Sequence, residues 1–594
     1  MPPEAQPTGS APPKPAELFD GLDPACVRYA DDRARRRLTP VLTRWAERDN
    51  AGQWRRVKHS ASRTIYRFAP SDGQGVLYLK HFHNLSILHR LQRRLGTSDA
   101  PCEMRFSKYL SGRDVPVQTV LATCHHNGTE WLISEAVEPA VPADRWHAEQ
   151  LAAGHHGAIR AATVALAELV GRMHAGGVIH RDLHCGNVLV RTDSPARLVL
   201  MDLHRMARRR RRVRRAANLA QLLHDRLLWT TRSQRLRFLK HYLRASETSG
   251  SLRGWVRLVE PMGRRHHRRQ NAHRDRRIFG TNRYFARLKI GGWRAHVVLD
   301  SKRQIPGSAA TGSVFCAEAW RAVLADPDAL FVGPDVEVVK DSASGYIVRR
   351  RLQVGDQTVD AYIKRPRRKR PIRWLTDLFR LSRPLRAFRM GHALLGRHIY
   401  TALPLAAMEK RRGRFLVDSI LITEAVGSAL HLNRFLNRYF GSSAEAGELD
   451  ARARHRLGRE VLWQLGRLVR RLNEEGFAHR DLKATNLLVY GDPRRRRRPD
   501  LIMVDLDGVR RVRHVSERER FRGLMRLNVS LLECPVVNRA GRLRMLLGYL
   551  RRPGAGRINF RPAWSVLARW SERKIRRQIA SRQKRQKAQR RNRS

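Results

Sequence analysis

The chain has 594 residues, 42% of them hydrophobic, with 118 Lys+Arg against 53 Asp+Glu for a formal net charge of +65. That length and apolar content exclude a disordered chain and leave room for about three to five domains' worth of core. No apolar run reaches the ~18 residues of a membrane span, and Cys26, Cys102, Cys124, Cys185, Cys316 and Cys534 form no CxxC pair, against a disulfide framework or zinc knuckle and for a reducing compartment.

The Pro/Ala-rich start, MPPEAQPTGSAPPKPAELFD, has neither a basic nor an apolar signal-peptide region, and residues 1–39 are expected to be a disordered extension. Two stretches then repeat. KHSASRTIYRF (58–68) matches KDSASGYIVRR (340–350), and VLYLK, ending at Lys80, matches DAYIK, ending at Lys364. Later GGVIHRDLHCGNVLV (176–190) matches EGFAHRDLKATNLLV (475–489). An offset that stays nearly fixed and then grows by insertion is what a duplicated domain leaves. The expected division is a first copy over 40–250, a basic join over 251–280, a second copy over 281–571 and a basic tail over 572–594. RYFARLKI-GG-WRAHVVL (283–299) alternates around two glycines as a β-hairpin does.

Each copy reads in the same order. A strand pair with an SAS turn precedes an apolar strand ending in Lys; a helix follows, then the strand EWLISEAV or LVDSILITEAV. An amphipathic helix, VALAELVGRMHAGG or EVLWQLGRLVRRLNEEG, is closed by glycine. After it come the HRD loop, an apolar strand, a gap, and the strand RLVLMDLH or LIMVDLDG. The remainder reads as helical. The expected fold class is α+β: two tandem bilobal domains, each a small antiparallel β-lobe followed by a helical lobe.

The order Lys…Glu…HxDxxxxN…D is the signature of the protein-kinase-like fold. Phosphoryl transfer asks a protein mainly for positioned charge. In the first copy Lys80 is expected to grip the nucleotide phosphates, braced by Glu103. Asp182 would accept the proton of the incoming hydroxyl, and Asn187 and Asp202 would hold Mg2+. The second copy supplies Lys364, Asp481, Asn486 and Asp505. Its match to Glu103, at the offset that relates Lys80 to Lys364, is Ala387, and no acid occurs between Asp377 and Glu409. Either another element supplies the partner of Lys364, or the second copy binds without efficient turnover. His180 and His479 are expected to orient loop backbone, and Arg181 and Arg480 to brace the loops.

Both copies depart from ordinary protein kinases. No GxGxxG occurs, so SAS would cover the phosphates. DFG becomes Asp202-Leu203-His204 and Asp505-Leu506-Asp507, and no APE follows, which disfavours a peptide acceptor. No GxxxxGK[ST] supports a P-loop.

HRDLHCGNVLV…LVLMDLHRM, EMRFSKYLSGRDVPVQTV, NLAQLLHDRLLWTTRSQRLRFLKHYL and RFRGLMRLNVSLLECPVVNRAGRLRMLLGYL resemble the lipopolysaccharide core heptose and Kdo kinases. The resemblance covers both copies. It implies ATP-dependent phosphorylation of a sugar hydroxyl on lipopolysaccharide core at the inner face of the cytoplasmic membrane. The tandem duplication departs from one-domain enzymes and leaves the acceptor sugar open. On this reading the acceptor is an anionic phosphorylated glycolipid or oligosaccharide, and the +65 charge favours peripheral contact with an anionic membrane. Guanidinium groups fork onto phosphates, so Arg208, Arg209, Arg210, Arg211 and Arg212 in ARRRRRVRR are candidate acceptor ligands, with VRRVRH (509–514) their counterpart. PRRRRRP (493–499) reads as surface or membrane contact. An atypical protein kinase, or a pseudokinase pair binding nucleic acid or membrane, is the alternative; nucleic acid is the less favoured partner because no aromatic-interleaved basic stripe is evident.

Overall fold

The computed structural model describes residues 26–46, 52–59, 63–70, 73, 75–83, 98–126, 129–226, 230–301, 305–310, 312–367, 380–440, 449–491, 499–532, 534, 537–551 and 558–591. The chain forms two compact units, Met1–Arg268 and Arg269–Ser594.

In unit 1 the β-lobe carries β1 (Val27–Tyr29), α1 (Asp32–Ala46), β2 (Gly52–His59), β3 (Arg63–Pro70), β4 (Leu77–Phe82), α2 (Asp99–Ser111), β5 (Val120–His126) and β6 (Thr129–Glu135). The strands make one sheet in the order β1-β5-β6-β4-β3-β2. Leu77, Leu79, Trp131 and Ile133 alternate along β4 and β6 into its core, each at most 2% exposed, as period-two patterning requires. Residues 1–39, expected to be a disordered extension, in part belong to this sheet: β1 pairs with β5, and Ala34 and Leu38 of α1 are buried. An apolar stripe at helical spacing in DRARRRLTPVLTRWA overrides the Pro/Ala bias upstream.

The helical lobe follows with β7 (Ala140–Pro142), α3 (Ala143–Ala152), α4 (His156–Ala175), β8 (Val178–His180), β9 (Val188–Arg191), β10 (Leu198–Leu200), β11 (Met206–Arg208), α5 (Arg212–Arg226), α6 (Arg232–Ala245) and α7 (Leu252–Arg277), whose residues after Arg268 are counted in unit 2. Most of the basic join, 251–280, is therefore helix. α4 ends ahead of Gly177, whose φ of +75° reverses the chain into β8 at little steric cost.

Unit 2 repeats the plan. Its β-lobe has β12 (Phe285–Ile290), β13 (Trp293–Val298), α8 (Ala317–Val323), β14 (Glu337–Ser342), β15 (Gly345–Val354), β16 (Gln357–Pro366), α9 (Arg383–Leu395), β17 (Pro404–Arg412) and β18 (Phe415–Glu424). The sheet order is β12-β13-β17-β18-β16-β15-β14. The expected Gly-Gly hairpin is present: Gly291 and Gly292 take φ of +49° and +80° between β12 and β13, the primed-turn geometry that matches strand twist. The helical lobe holds β19 (Leu430–His431), α10 (Leu432–Phe440), α11 (Ala451–Glu474), β20 (Phe477–His479), β21 (Leu487–Tyr490), β22 (Asp500–Met503), β23 (Val509–Arg511), α12 (Glu517–Leu532), α13 (Arg539–Leu550) and α14 (Arg561–Arg591). The basic tail thus continues a helix that begins at Arg561. Each unit is α+β, an antiparallel β-lobe followed by a helical lobe built around a three-stranded sheet and a strand pair.

Candidate functional site

Lys80 sits on β4 two residues before its end, 4% exposed, and Glu103 of α2 is fully buried. A buried ammonium requires compensating acid. Lys80 Nζ donates to Glu103 Oε1 at 2.6 Å and to Asp202 Oδ1 at 3.1 Å. Arg63 of β3 closes the cluster, donating to Asp202 Oδ2 at 3.1 Å. Burial pushes the Lys80 ammonium down, but Glu103 and Asp202 outweigh it and hold it above its ordinary value. Burial likewise raises Glu103 and Asp202, and the cations facing them win, so both carboxyls lie below the usual range. Glu103 Oε2 faces His204 Nδ1 at 3.7 Å. Glu103, Asp202 and His204 present atoms within 4.8 Å of one another, and the Lys80 ammonium bonds two of the three.

The HRD loop leaves β8, which pairs with β11 so that His180 lies opposite Met206. His180 Nδ1 accepts the Asp182 backbone N–H at 3.1 Å, while its Nε2 donates to the Met201 carbonyl at 3.1 Å. One imidazole thus ties the Asp182 loop to the strand before Asp202. Met201 N–H donates to the Asn187 carbonyl at 2.9 Å, placing Asn187 beside the Asp202 segment. Asp202 has φ of +55°, a left-handed turn that Asp tolerates better than most residues. Asn187 Nδ2 donates to the Asp182 carbonyl at 2.9 Å, which leaves its side-chain oxygen as an acceptor. With the Asp202 carboxylate this makes a hard oxygen donor pair, the set that suits Mg2+. The Asp182 side chain is 55% exposed, with His184 Nε2 at 3.8 Å.

Unit 2 keeps the frame and alters the charges. Lys364 Nζ donates to Asp505 Oδ1 and Asp507 Oδ2, both at 3.0 Å; Asp505 has φ of +56°. The missing acid therefore comes from the Asp505 loop, while Ala387 of α9 is buried at 2% exposure. Asn486 Nδ2 donates to the Asp481 carbonyl at 2.9 Å, and His479 Nδ1 accepts the Asp481 N–H at 3.1 Å. Lys483 Nζ lies 3.0 Å from Asp481 Oδ2; burial raises the Asp481 carboxyl, but this lysine outweighs it and holds it below its ordinary value.

Lys80, Glu103 and Asp202 share one cluster in unit 1, and backbone hydrogen bonds join the Asp182–Asn187 loop to the Asp202 segment. Lys364 and Asp505 meet in unit 2, where the same backbone ties hold Asp481 and Asn486. Arg181 and Arg480 are exposed; the bracing there is by backbone, Arg181 N–H to the Arg205 carbonyl at 2.9 Å and Arg480 N–H to the Gly508 carbonyl at 2.8 Å. The first SAS turn (60–62) and most of PRRRRRP (493–499) lie outside the described residues.

The arginine runs behave differently in the two units. Arg208 lies opposite Val178, so the run from Arg208 to Arg212 leads away from Asp182. It remains exposed, although Arg208 and Arg212 lie over the rings of Tyr109 and Trp255. The counterpart in VRRVRH is not an open acceptor seat: Arg510 pairs with Glu519, and Arg511 with the buried Asp275, internal acids that claim its charge. Sequence reading missed Arg63, His204 and Asp507 as members of the lysine clusters. The only signal was that His204 and Asp507 hold the same place, two residues after Asp202 and Asp505.

Comparison with known proteins follows the same division. A stretch of 93 residues is 41% identical to the lipopolysaccharide core heptose(I) kinase WaaP of Pseudomonas aeruginosa, covering 14% of this chain and 35% of that protein, about a third of the relative's length. Among solved structures, WaaP in complex with acyl carrier protein is similar at 26% identity and a TM-score of 0.29, over 37% of this chain and 90% of that one. An aminoglycoside-3'-phosphotransferase of type VIII is similar at 19% identity and a TM-score of 0.27, over 38% and 99%. The model of the lipopolysaccharide kinase (Kdo/WaaP) family matches residues 37–242 and again 347–549, more than half of the chain and one match in each unit, and the chain belongs to that family.

Proposed function

We propose that unit 1 transfers the terminal phosphoryl group of ATP to a hydroxyl of a lipopolysaccharide core sugar, heptose or Kdo, or of a similar anionic glycolipid at the inner face of the cytoplasmic membrane. The observation that carries this reading is the meeting of Lys80, Glu103 and Asp202 beside a loop on which Asp182 and Asn187 are held by His180 and by backbone hydrogen bonds. In this role Lys80 holds the nucleotide phosphates, and Glu103 fixes the ammonium. Asp182, exposed at the loop, takes the proton of the acceptor hydroxyl. Asn187 and Asp202 are the residues to hold Mg2+, which when bound neutralises charge on the phosphate oxygens. Arg208–Arg212 stand on the order of 10 Å farther along β11 and its continuation, a spacing that suits a second anionic group on an extended acceptor rather than the reacting hydroxyl. Among the described residues no helix is long and apolar enough to cross a membrane, and contact with an anionic surface through the chain's excess positive charge is the proposed mode of approach.

The test is incubation with labelled ATP, Mg2+ and total envelope lipid, with the label located by mass spectrometry. Label is expected on core saccharide, and Asp182→Asn should lower its incorporation at least ~10²-fold while the protein remains folded. Undiminished labelling by that variant would remove unit 1 from the chemistry; label on protein and not on lipid would point to a protein acceptor.

A further inference from the structure

Between the two units the acid that partners the phosphate lysine has changed element. α2 (Asp99–Ser111) and α9 (Arg383–Leu395) are both 13-residue helices, and Glu103 and Ala387 are the fifth residue of each. His204 and Asp507 are each two residues beyond a left-handed aspartate, Asp202 or Asp505. Unit 1 has an acid on the helix and an imidazole on the loop, with Glu103 Oε2 and His204 Nδ1 3.7 Å apart. Unit 2 has a methyl group on the helix and an acid on the loop. In both, the lysine touches two carboxylates: Lys80 has Glu103 at 2.6 Å and Asp202 at 3.1 Å, and Lys364 has Asp505 and Asp507 at 3.0 Å each. A drifting, inactive copy would be expected to lose the second acid without regaining one in reach of the same ammonium.

We propose that Asp507 is the positioning residue for Lys364, replacing the helix glutamate, and that unit 2 is thereby a second site for a magnesium nucleoside triphosphate. This deepens the kinase reading and rests on it only for the class of ligand. The lysine of unit 2 is fixed to the loop that carries Asp505 and takes no charge from α9. Its cluster is also more open, with the Lys364 side chain 24% exposed against 6% for Lys80.

The experiment uses the full chain with unit 1 disabled by Lys80→Met and Asp202→Asn, and reads binding of the magnesium salt of methylanthraniloyl-ATP by fluorescence. This background is expected to bind; no binding overturns the proposal. Asp507→Asn, close in shape, should weaken binding about tenfold, and Lys364→Met combined with Asp507→Asn should be no weaker than Lys364→Met alone, because Asp507 acts through the lysine. Unchanged affinity in Asp507→Asn, or losses that multiply in the double variant, overturn it. Asp507→His with Ala387→Glu rebuilds the unit 1 pair and should recover affinity to within about threefold of the starting level; if it folds yet binds as weakly as Asp507→His alone, the exchange of partners is wrong. If that variant does not fold, the cycle with Asp507→Asn decides. Unit 2 failing to bind leaves Asp182-dependent transfer by unit 1 standing, and loss of that transfer with unit 2 still binding does the reverse.

Discussion

A lysine with almost no access to solvent survives as an ammonium only while its acids stay in place. Lys80 is 4% exposed and Glu103 is fully buried, so Glu103→Gln leaves a buried cation with one carboxylate where it had two. Removing one partner of a buried pair costs about 3 kcal/mol or more, and unit 1 of this variant should lose stability by that order in denaturant titration. The matching change in unit 2, Asp507→Asn, acts on a side chain 26% exposed facing a lysine 24% exposed. Water screens that pair, and the expected cost is below about 1 kcal/mol. Equal losses in the two units would contradict the assignment of a deep pair to unit 1 and a shallow one to unit 2. Asp182 and Asp481 differ in the same manner. Asp481 accepts from Lys483 at 3.0 Å, whereas Asp182 faces the His184 imidazole at 3.8 Å. Lys483 holds the Asp481 carboxyl below its ordinary value, which makes it a weaker proton acceptor than a free aspartate.

At the scale of elements, the helical lobes are fixed by close helix crossings that only small residues permit. A Cβ on Gly466 of α11 would stand 2.0 Å from the Met545 carbonyl oxygen, and one on Gly548 of α13 would stand 2.4 Å from the Trp463 carbonyl oxygen. In unit 1 a Cβ on Gly171 of α4 would meet the Ala245 Cβ at 2.6 Å. Alanine gains about 1 kcal/mol over glycine in a helix, but pushing backbones apart costs about 1–3 kcal/mol or more. At Gly466 the obstacles are backbone atoms that cannot rotate away, so the clash wins. Gly466→Ala should destabilise unit 2 by about 2 kcal/mol, read as faster amide exchange across 451–474; unchanged or slower exchange would mean that the crossing relaxes freely. These helices were legible in the sequence because VALAELVGRMHAGG and EVLWQLGRLVRRLNEEG keep an apolar stripe and a closing glycine. The Gly-Gly hairpin and the strands flanking each HRD loop were legible for similar reasons. β5 and β17 were not: PLAAMEKRR is buried at six successive positions, so its strand has no alternation to detect. The site divided likewise. Residues within one motif were found from spacing, whereas the partner of Lys364 came from a loop 143 positions away in sequence, which an offset measured on the helix could not reveal.

For the whole molecule, the net charge of +65 makes each further proton on a folded unit unwelcome, and histidines held neutral by desolvation contribute to where acid is first felt. Burial lowers His81 and His174 in unit 1, and His296 and His479 in unit 2, each to about 4. His81 lies stacked on Trp131 at 3.9 Å between ring centroids. His174 has Tyr242 Oη at 2.9 Å from one ring nitrogen and Asn218 Oδ1 at 3.1 Å from the other, which a neutral ring satisfies by accepting the first and donating to the second. His479 must keep Nδ1 unprotonated to accept the Asp481 N–H. Once unfolded, each ring titrates near 6.5. Above that value both states are neutral and the stability from these histidines is fully present. Between about 6.5 and 4 the unfolded chain binds protons that the folded one does not, so stability falls as pH falls. Denaturation midpoints at constant ionic strength should be level from pH 7.5 to about 6.5 and then decline by roughly 1 kcal/mol per pH unit or more in each unit. Glu103 and Asp202, whose carboxyls lie below their ordinary values in the fold, steepen the loss in unit 1 once the pH drops below about 4.5. His81→Phe can preserve the stack on Trp131 and has no proton to gain, so it should flatten the unit 1 slope between pH 6.5 and 4 while leaving that of unit 2 unchanged. A slope in unit 1 as steep as before would show that the acid sensitivity arises from other groups.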